Sequence, residues 1–295
     1  MDLLIFALTI GIVYSLLALS IVFSFRILGF PDLTPDGTLL VGASVGAIII
    51  NQTNSVVLAL ISSFVVGAFF GIITALLHNK LKISKLLSGI LVMTMLYSVS
   101  LRVMGTSNIS LINSKTIWFA DFSKNSQLYN LFIAIIVVSI VFSLLYLLLK
   151  TNIGLRLRAL GDSENTAKNL NLNIGKLNVI GLAISNGLAG LAGIIIAQYQ
   201  GFVDVSMGTG LVIIGLASII IGEIILKPKN IFYLLLAGIV GMIIYQSVIS
   251  IALRFGLPST DLKIATVMLT ILFIFIERIR KTKATIDRQI GNRNI

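Results

Sequence analysis

The sequence contains no cysteine, one histidine, one tryptophan and four prolines among its 295 residues. Without cysteine there is no disulfide, no thiolate metal site and no lipid anchor on sulfur. His78 stands alone in the short polar stretch His78-Asn79-Lys80, so no metal centre and no cofactor are expected. Charge is also scarce, at 11% of residues against 57% apolar, and the mean hydropathy is +1.05. A soluble domain of this length needs more polar surface than that composition supplies. The phosphate-cradling pattern G-x-x-x-x-G-K-[ST] is missing as well, so any ATP must be hydrolysed on another chain.

What the sequence does have is long apolar runs. Residues 57–77, 131–149, 231–253 and 264–276 carry no charge. The first three approach the ~20 residues that take an α-helix across the ~30 Å of a bilayer core. Backbone groups in lipid must bond within their own segment, which makes these runs helices. The reading is an all-α polytopic membrane protein with about nine spans (eight to ten). They fall near 3–25, 36–50, 54–77, 84–103, 128–149, 177–200, 207–226, 230–253 and 262–277. The second is the weakest, either a short buried span or a half-helix that dips in and returns. One transmembrane domain, 1–278, is followed by a basic tail, 279–295.

Charge orients the spans. With the N-terminus outside, all 22 lysines and arginines except Arg102, Lys115, Lys124, Arg254 and Lys263 fall on the inner side, and the C-terminus is cytoplasmic. Basic residues beside an anionic inner leaflet account for the net charge of +11, so no nucleic-acid partner is implied.

Gly29-Phe30-Pro31-Asp32-Leu33-Thr34 recurs loosely as Gly201-Phe202-Val203-Asp204-Val205-Ser206. Each copy follows a long span and precedes a short glycine-containing one, in opposite directions through the membrane. That pattern suggests two inverted halves, about 1–150 and 177–278, with a pathway where they meet. Asp32, Thr34, Asp36, Asp204 and Ser206 are therefore candidate pathway residues; the carboxylates also suit helix capping, and the two roles are compatible. Asn186 and Gln198, polar residues in an apolar span, either face solute or bond neighbouring helices.

The insert 151–176 carries Arg156, Arg158, Asp162, Glu164 and Lys168 among apolar residues at helical spacing. Gly161 is expected to break the helix there, with Asp162 or Ser163 capping the next one. Such an element suits docking to a soluble partner, and equally a solvated loop. Glu223, near the inner end of a span, is either a second contact to that partner or an ion-pair partner of Lys227 at i+4.

The residues Gly154, Arg158, Ala159, Asp162, Ala167, Asn171, Leu172 and Asn173, followed by the alanine- and glycine-rich run 183–198, resemble the permease subunits of bacterial ABC importers of the branched-chain amino acid and ribose class. Phe30-Pro-Asp-Leu-Thr-Pro-Asp-Gly37 is similar to a branch associated with aromatic amino acids or unassigned substrates. The resemblance covers about residues 3–280. It implies a type II-like importer fold in the bacterial plasma membrane. A second permease copy (a homodimer), two ATP-binding subunits and an extracytoplasmic solute-binding protein would be partners, with 154–173 as the coupling helix. It also implies no enzymatic activity in this chain. Two other functions compete: a stand-alone secondary transporter, and an integral membrane enzyme. The first ordinarily needs ion-coupling groups deep in the spans, of which there are few. The second needs a paired acid and base or a metal cluster, and neither is found.

Overall fold

The computed structural model describes residues 2–112, 114–118 and 124–256, and only scattered positions between 261 and 275. Of the ninth expected span, 262–277, only seven scattered positions are among the described residues, and the basic tail lies wholly outside them. Through residue 256 the chain forms α1 (Asp2–Ile21), α2 (Thr34–Thr53), α3 (Val56–Leu81), α4 (Lys85–Met104), α5 (Lys124–Lys150), α6 (Asn152–Asp162), α7 (Glu164–Asn169), α8 (Ile174–Gln200), α9 (Leu211–Leu226) and α10 (Ile231–Arg254). A π-helical turn, Val22–Ile27, continues α1, and two short strands, β1 (Asn108–Ser110) and β2 (Phe202–Asp204), pair antiparallel.

Local chemistry sets the boundaries. Ser55, Ser84, Thr151, Ser163, Asn173 and Asn230 each accept a backbone N–H of the first turn that follows. Asn54, Lys82, Gly105, Gly201 and Lys227 end their helices in the left-handed conformation.

Among the described residues, six helices are long and apolar enough to cross a membrane: α1 with its π turn, α3, α4, α5, α8 and α10. Two of the nine expected spans fall short for different reasons. α2 is 20 residues long but carries Thr34, Asp36 and Thr38 in its first turns and Asn51, Gln52 and Thr53 in its last, and it is buried along most of its length. It needs no lipid-compatible surface because other helices cover it. α9 has only 16 residues, about 24 Å of helix. The preceding residues, expected to be its start, form a turn.

α8 is the central post. α3 runs antiparallel to it, and α2 runs parallel to it, with Thr38 bonded to Asn186 and Gly42 against Gly190. A Cβ on Gly42 would overlap the Gly190 Cα, so these two backbones touch as small residues at helix contacts in membranes allow. α1 packs between α8 and α10.

The two ends of the bundle differ. One, the insert end, gathers 26–30, 78–85, 150–176 and 223–230; Lys85 Nζ donates to Gly29 O at 3.2 Å and Asn79 Nδ2 to Gly175 O at 2.9 Å. The other, the hairpin end, gathers 51–55, 105–112, 114–118 and 200–206 around β1–β2, where Leu111 N–H donates to Gly201 O at 2.8 Å.

Candidate functional site

After the π turn the chain does not leave the bundle. It turns back at Gly29 (φ 63°) and re-enters, so that Asp32 is fully buried and α2 begins well inside the length of α8. One oxygen of Asp32 accepts the Thr34 N–H (2.9 Å) and the Thr34 hydroxyl; the other accepts Asn186 Nδ2 at 2.8 Å. Asn186 Oδ1 in turn accepts the Thr38 hydroxyl at 2.9 Å, and Thr34 and Thr74 hydroxyls lie 2.9 Å apart. No basic side chain pairs with Asp32 among the described residues. This knot ties α2 to α8 and α3 at mid-bundle, with α4 passing close by at Gly89, where a Cβ would lie 2.8 Å from the Asp32 carboxylate.

Four residues further on, in the first turn of α2, Asp36 reaches a different helix. Its oxygens accept the N–H groups of Gly210 (2.9 Å) and Val212 (2.7 Å). α9 lacks a capping side chain of its own, its N-cap being Gly210, so Asp36 supplies the cap from α2. The N-termini of α2 and α9 thus meet inside the bundle, one helix running to the hairpin end and the other to the insert end. A cavity of about 340 Å³ opens beside the junction, lined by Asp36, Leu40, Met93, Thr94, Tyr97 and Thr209 among others. Thr94, Tyr97 and Ser98 are exposed on α4.

Asp204 repeats the local turn of Asp32: it accepts the Ser206 N–H at 2.8 Å and the Ser206 hydroxyl, and Gly201 has φ 81° where Gly29 has 63°. It sits in β2 opposite Asn108, partly exposed, and does not join the Asp32–Asp36 group. Gln198 lies elsewhere again, at the hairpin end, accepting the Ile117 N–H at 3.1 Å. Of the sequence-predicted pathway residues, Asp32, Thr34 and Asn186 form one knot, Asp36 adjoins it, and Asp204, Ser206 and Gln198 stand apart. Thr38, Thr74, Thr94 and Tyr97 escape the sequence reading. The signal for them is small polar residues placed at helical spacing in otherwise apolar spans.

At the insert end the helix break expected at Gly161 falls one residue on, where α6 ends at Asp162, and Ser163 caps α7 by accepting the Thr166 N–H at 3.3 Å. Gly161 is required for contact, since a Cβ there would overlap Ile27 O. Leu157, Leu160 and Ala167 pack inward while Arg156, Asp162 and Glu164 are exposed and Arg158 is half-buried. Lys168 pairs with Glu164 at 3.0 Å and, mainly through that hydrogen bond, holds its carboxyl below the ordinary carboxylate value. One expectation needs correction here, the partner of Glu223. Its partner is Arg26 of the π turn, at 2.6 Å, not Lys227. Lys227 ends α9 with φ 46°, which takes it off the helical i+4 position.

Residues 3–277 match the family described as branched-chain amino acid transport system / permease component. The chain is 42% identical over 266 residues to a tyrosine transport system permease protein of Clostridioides difficile, covering 90% of this chain and 88% of the relative. It is 35% identical over 285 residues to an uncharacterized protein of Rickettsia prowazekii (95% and 99% covered), and 24% identical over 201 residues to the ribose import permease protein of Escherichia coli (65% and 60%). No solved structure matches the chain. A multi-pass helical bundle matched along nearly its whole length belongs to that family, the permease components of branched-chain amino acid transport systems, and acts as the membrane-spanning transport subunit of an ABC-type importer.

Proposed function

We propose that the chain lines the pathway for a small zwitterionic solute, of which an aromatic amino acid such as tyrosine is the leading candidate, and that the pathway passes the junction of α2 and α9. The carrying observation is that two helix N-termini meet inside the bundle, bridged by the carboxylate of Asp36. The positive dipole ends of the two helices favour a carboxylate beside the junction, while Asp36, whose oxygens already cap α9, adds the negative charge that favours an ammonium. Leu40, Met93 and Tyr97 add an apolar and aromatic wall at the same cavity. The name of the 42% identical relative agrees with this solute class.

The matched turns at Asp32 and Asp204, and the opposite directions of α2 and α9, favour two inverted halves, about 1–150 and 177–278, around the insert 151–176. The basic residues gathered at the insert end favour that end as cytoplasmic, which puts the N-terminus outside and, with the nine-span reading, the C-terminus inside. On this orientation the hairpin end receives a solute-binding protein. Arg156, Arg158, Asp162 and Glu164 then face two ATP-binding subunits, with Glu223 beside them, and a second copy of the chain completes the pathway.

The test is uptake of labelled tyrosine by proteoliposomes holding the permease, its ATPase and its binding protein. ATP-dependent accumulation is expected. Uptake driven by an ion gradient without ATP would replace this reading by a secondary transporter.

A further inference from the structure

At the insert end a groove of about 440 Å³ opens between α6 and the start of α8. Asn173, Lys176, Leu177 and Ile180 line it at i, i+3, i+4 and i+7, so they form one stripe along α8. Ile153 and Arg156 line it from α6, and residues 170–172 complete the wall. The groove shares no lining residue with the cavity beside Asp36. It also leaves out Arg158, Asp162 and Glu164, the other insert residues placed toward the ATPase.

Polarity changes along the stripe. Lys176 lies in the first turn of α8 and Ile180 one turn further in, about 6 Å along the axis. Because α8 is long and apolar enough to cross a membrane from Ile174, Lys176 stands at the edge of the hydrocarbon and Ile180, 37% exposed, inside it. Arg156 and Lys176 are both exposed, and neither belongs to an ion pair among the described residues, whereas Lys168 nearby in the chain is matched by Glu164. No acidic side chain lines the groove among the described residues. Two uncompensated cations at the rim and an apolar stretch leading inward match an anionic head joined to a hydrocarbon chain. A soluble anion would use the cations and leave Ile180 unmatched. A soluble protein docking from outside the membrane would not reach Ile180 at all.

We infer that this groove binds an anionic phospholipid of the leaflet at the insert end, with its phosphate held by Arg156 and Lys176 and an acyl chain along Ile180. The site goes beyond the pathway reading and does not depend on which solute is carried.

Binding is read by native mass spectrometry of the purified, full-length permease without its ATPase. The probes are phosphatidylglycerol, phosphatidylcholine with the same acyl chains but no net charge, and glycerophosphate, which keeps the phosphate without a chain. Phosphatidylglycerol is expected to fill a first site at least about tenfold more tightly than phosphatidylcholine, and glycerophosphate at equal concentration is expected not to displace it. Lys176→Gln and Arg156→Gln should each weaken that first site about fivefold, the effect of one basic residue beside an anionic head. Lys80→Gln removes an exposed lysine at the same end that lines no part of the groove, and should leave it unchanged. Equal binding of phosphatidylcholine, displacement by glycerophosphate, unchanged affinity in both groove variants, or an equal loss in Lys80→Gln would each overturn the site. The wild-type comparison of the three probes decides the matter even if a variant fails to fold.

Discussion

Asp36 of α2 closes the first turn of α9, its two carboxylate oxygens accepting the N–H groups of Gly210 and Val212 at 2.9 and 2.7 Å. One side chain therefore fixes the relative height of two helices that run to opposite ends of the bundle. Replacing Asp36 by Ala should free both N–H groups and cost about 1–2 kcal/mol, as loss of a helix cap does. Asn keeps one acceptor and should lose less stability. Uptake should fall at least about tenfold in both if the carboxylate also meets solute, since that is roughly 1.4 kcal/mol of lost interaction. Thermal unfolding in detergent separates the capping loss from the uptake loss. Uptake of the Asn variant at the wild-type rate would leave Asp36 a cap and nothing more.

Arg26 and Glu223 join the π turn of α1 to the far end of the same α9. Their side chains are 45% and 21% exposed, so the pair is worth about 1 kcal/mol or less. Glu223→Arg should place two like charges together and lower the unfolding temperature, and adding Arg26→Glu should restore it. Lys227→Ala should change nothing. A double-mutant cycle with no coupling between 26 and 223 would exclude the pair as a brace for α9.

Much of this architecture is legible from the chain. The charge-free runs mark α3, α5 and α10, and the spans placed at 54–77, 128–149, 177–200 and 230–253 give α3, α5, α8 and α10 to within a few residues, because apolar length largely determines them. The capping role of Ser163 follows from its residue type and position. The junction at Asp36 is out of reach for a simple reason: capping rules look for a side chain beside the helix it caps, and Gly210 is 174 residues away. Gly161 serves two purposes, of which one is legible: the helix ends one residue beyond it, as its residue type signals, whereas the neighbour's carbonyl that leaves no space for a Cβ is visible only in the bundle. Lys227 misleads because i+4 spacing holds only inside a helix, and the helix ends at that residue. The weak hydropathy of α2 is a true signal of burial beneath other helices, but it says nothing of how long the helix is.

Topology is open to direct measurement, since the chain has no cysteine of its own. Single cysteines in place of Lys115 and Lys168 would lie at the hairpin end and the insert end respectively. In sealed cells an impermeant maleimide should label position 115, and position 168 only after permeabilisation. Labelling of position 168 in intact cells would reverse the bundle and move the docking surface outside.

The insert meets the π turn at a tight contact, where Gly161 of α6 packs on Ile27 O immediately after Arg26. A methyl group at 161 would overlap that carbonyl oxygen, and backbone on both sides cannot yield as a flexible side chain could. Gly161→Ala should therefore push α6 off the π turn, without touching the exposed charges that would face an ATPase. Arg158→Glu and Glu164→Arg should do the reverse, leaving the seat intact while altering the docking surface, where like charges repel. Glu164 stays ionised near neutral pH, because Lys168 holds its carboxyl below the ordinary value. Its small contribution is complete above that value and fades only as pH falls through the lowered one, so its reversal should act equally across the neutral range. Pull-down of the ATPase and its hydrolysis rate in proteoliposomes distinguish the two classes. The charge reversals should lose binding, whereas Gly161→Ala should keep binding and lose stimulation by solute-loaded binding protein. Full binding and full stimulation in all three variants would rule out the insert as the element that links ATP hydrolysis to the pathway.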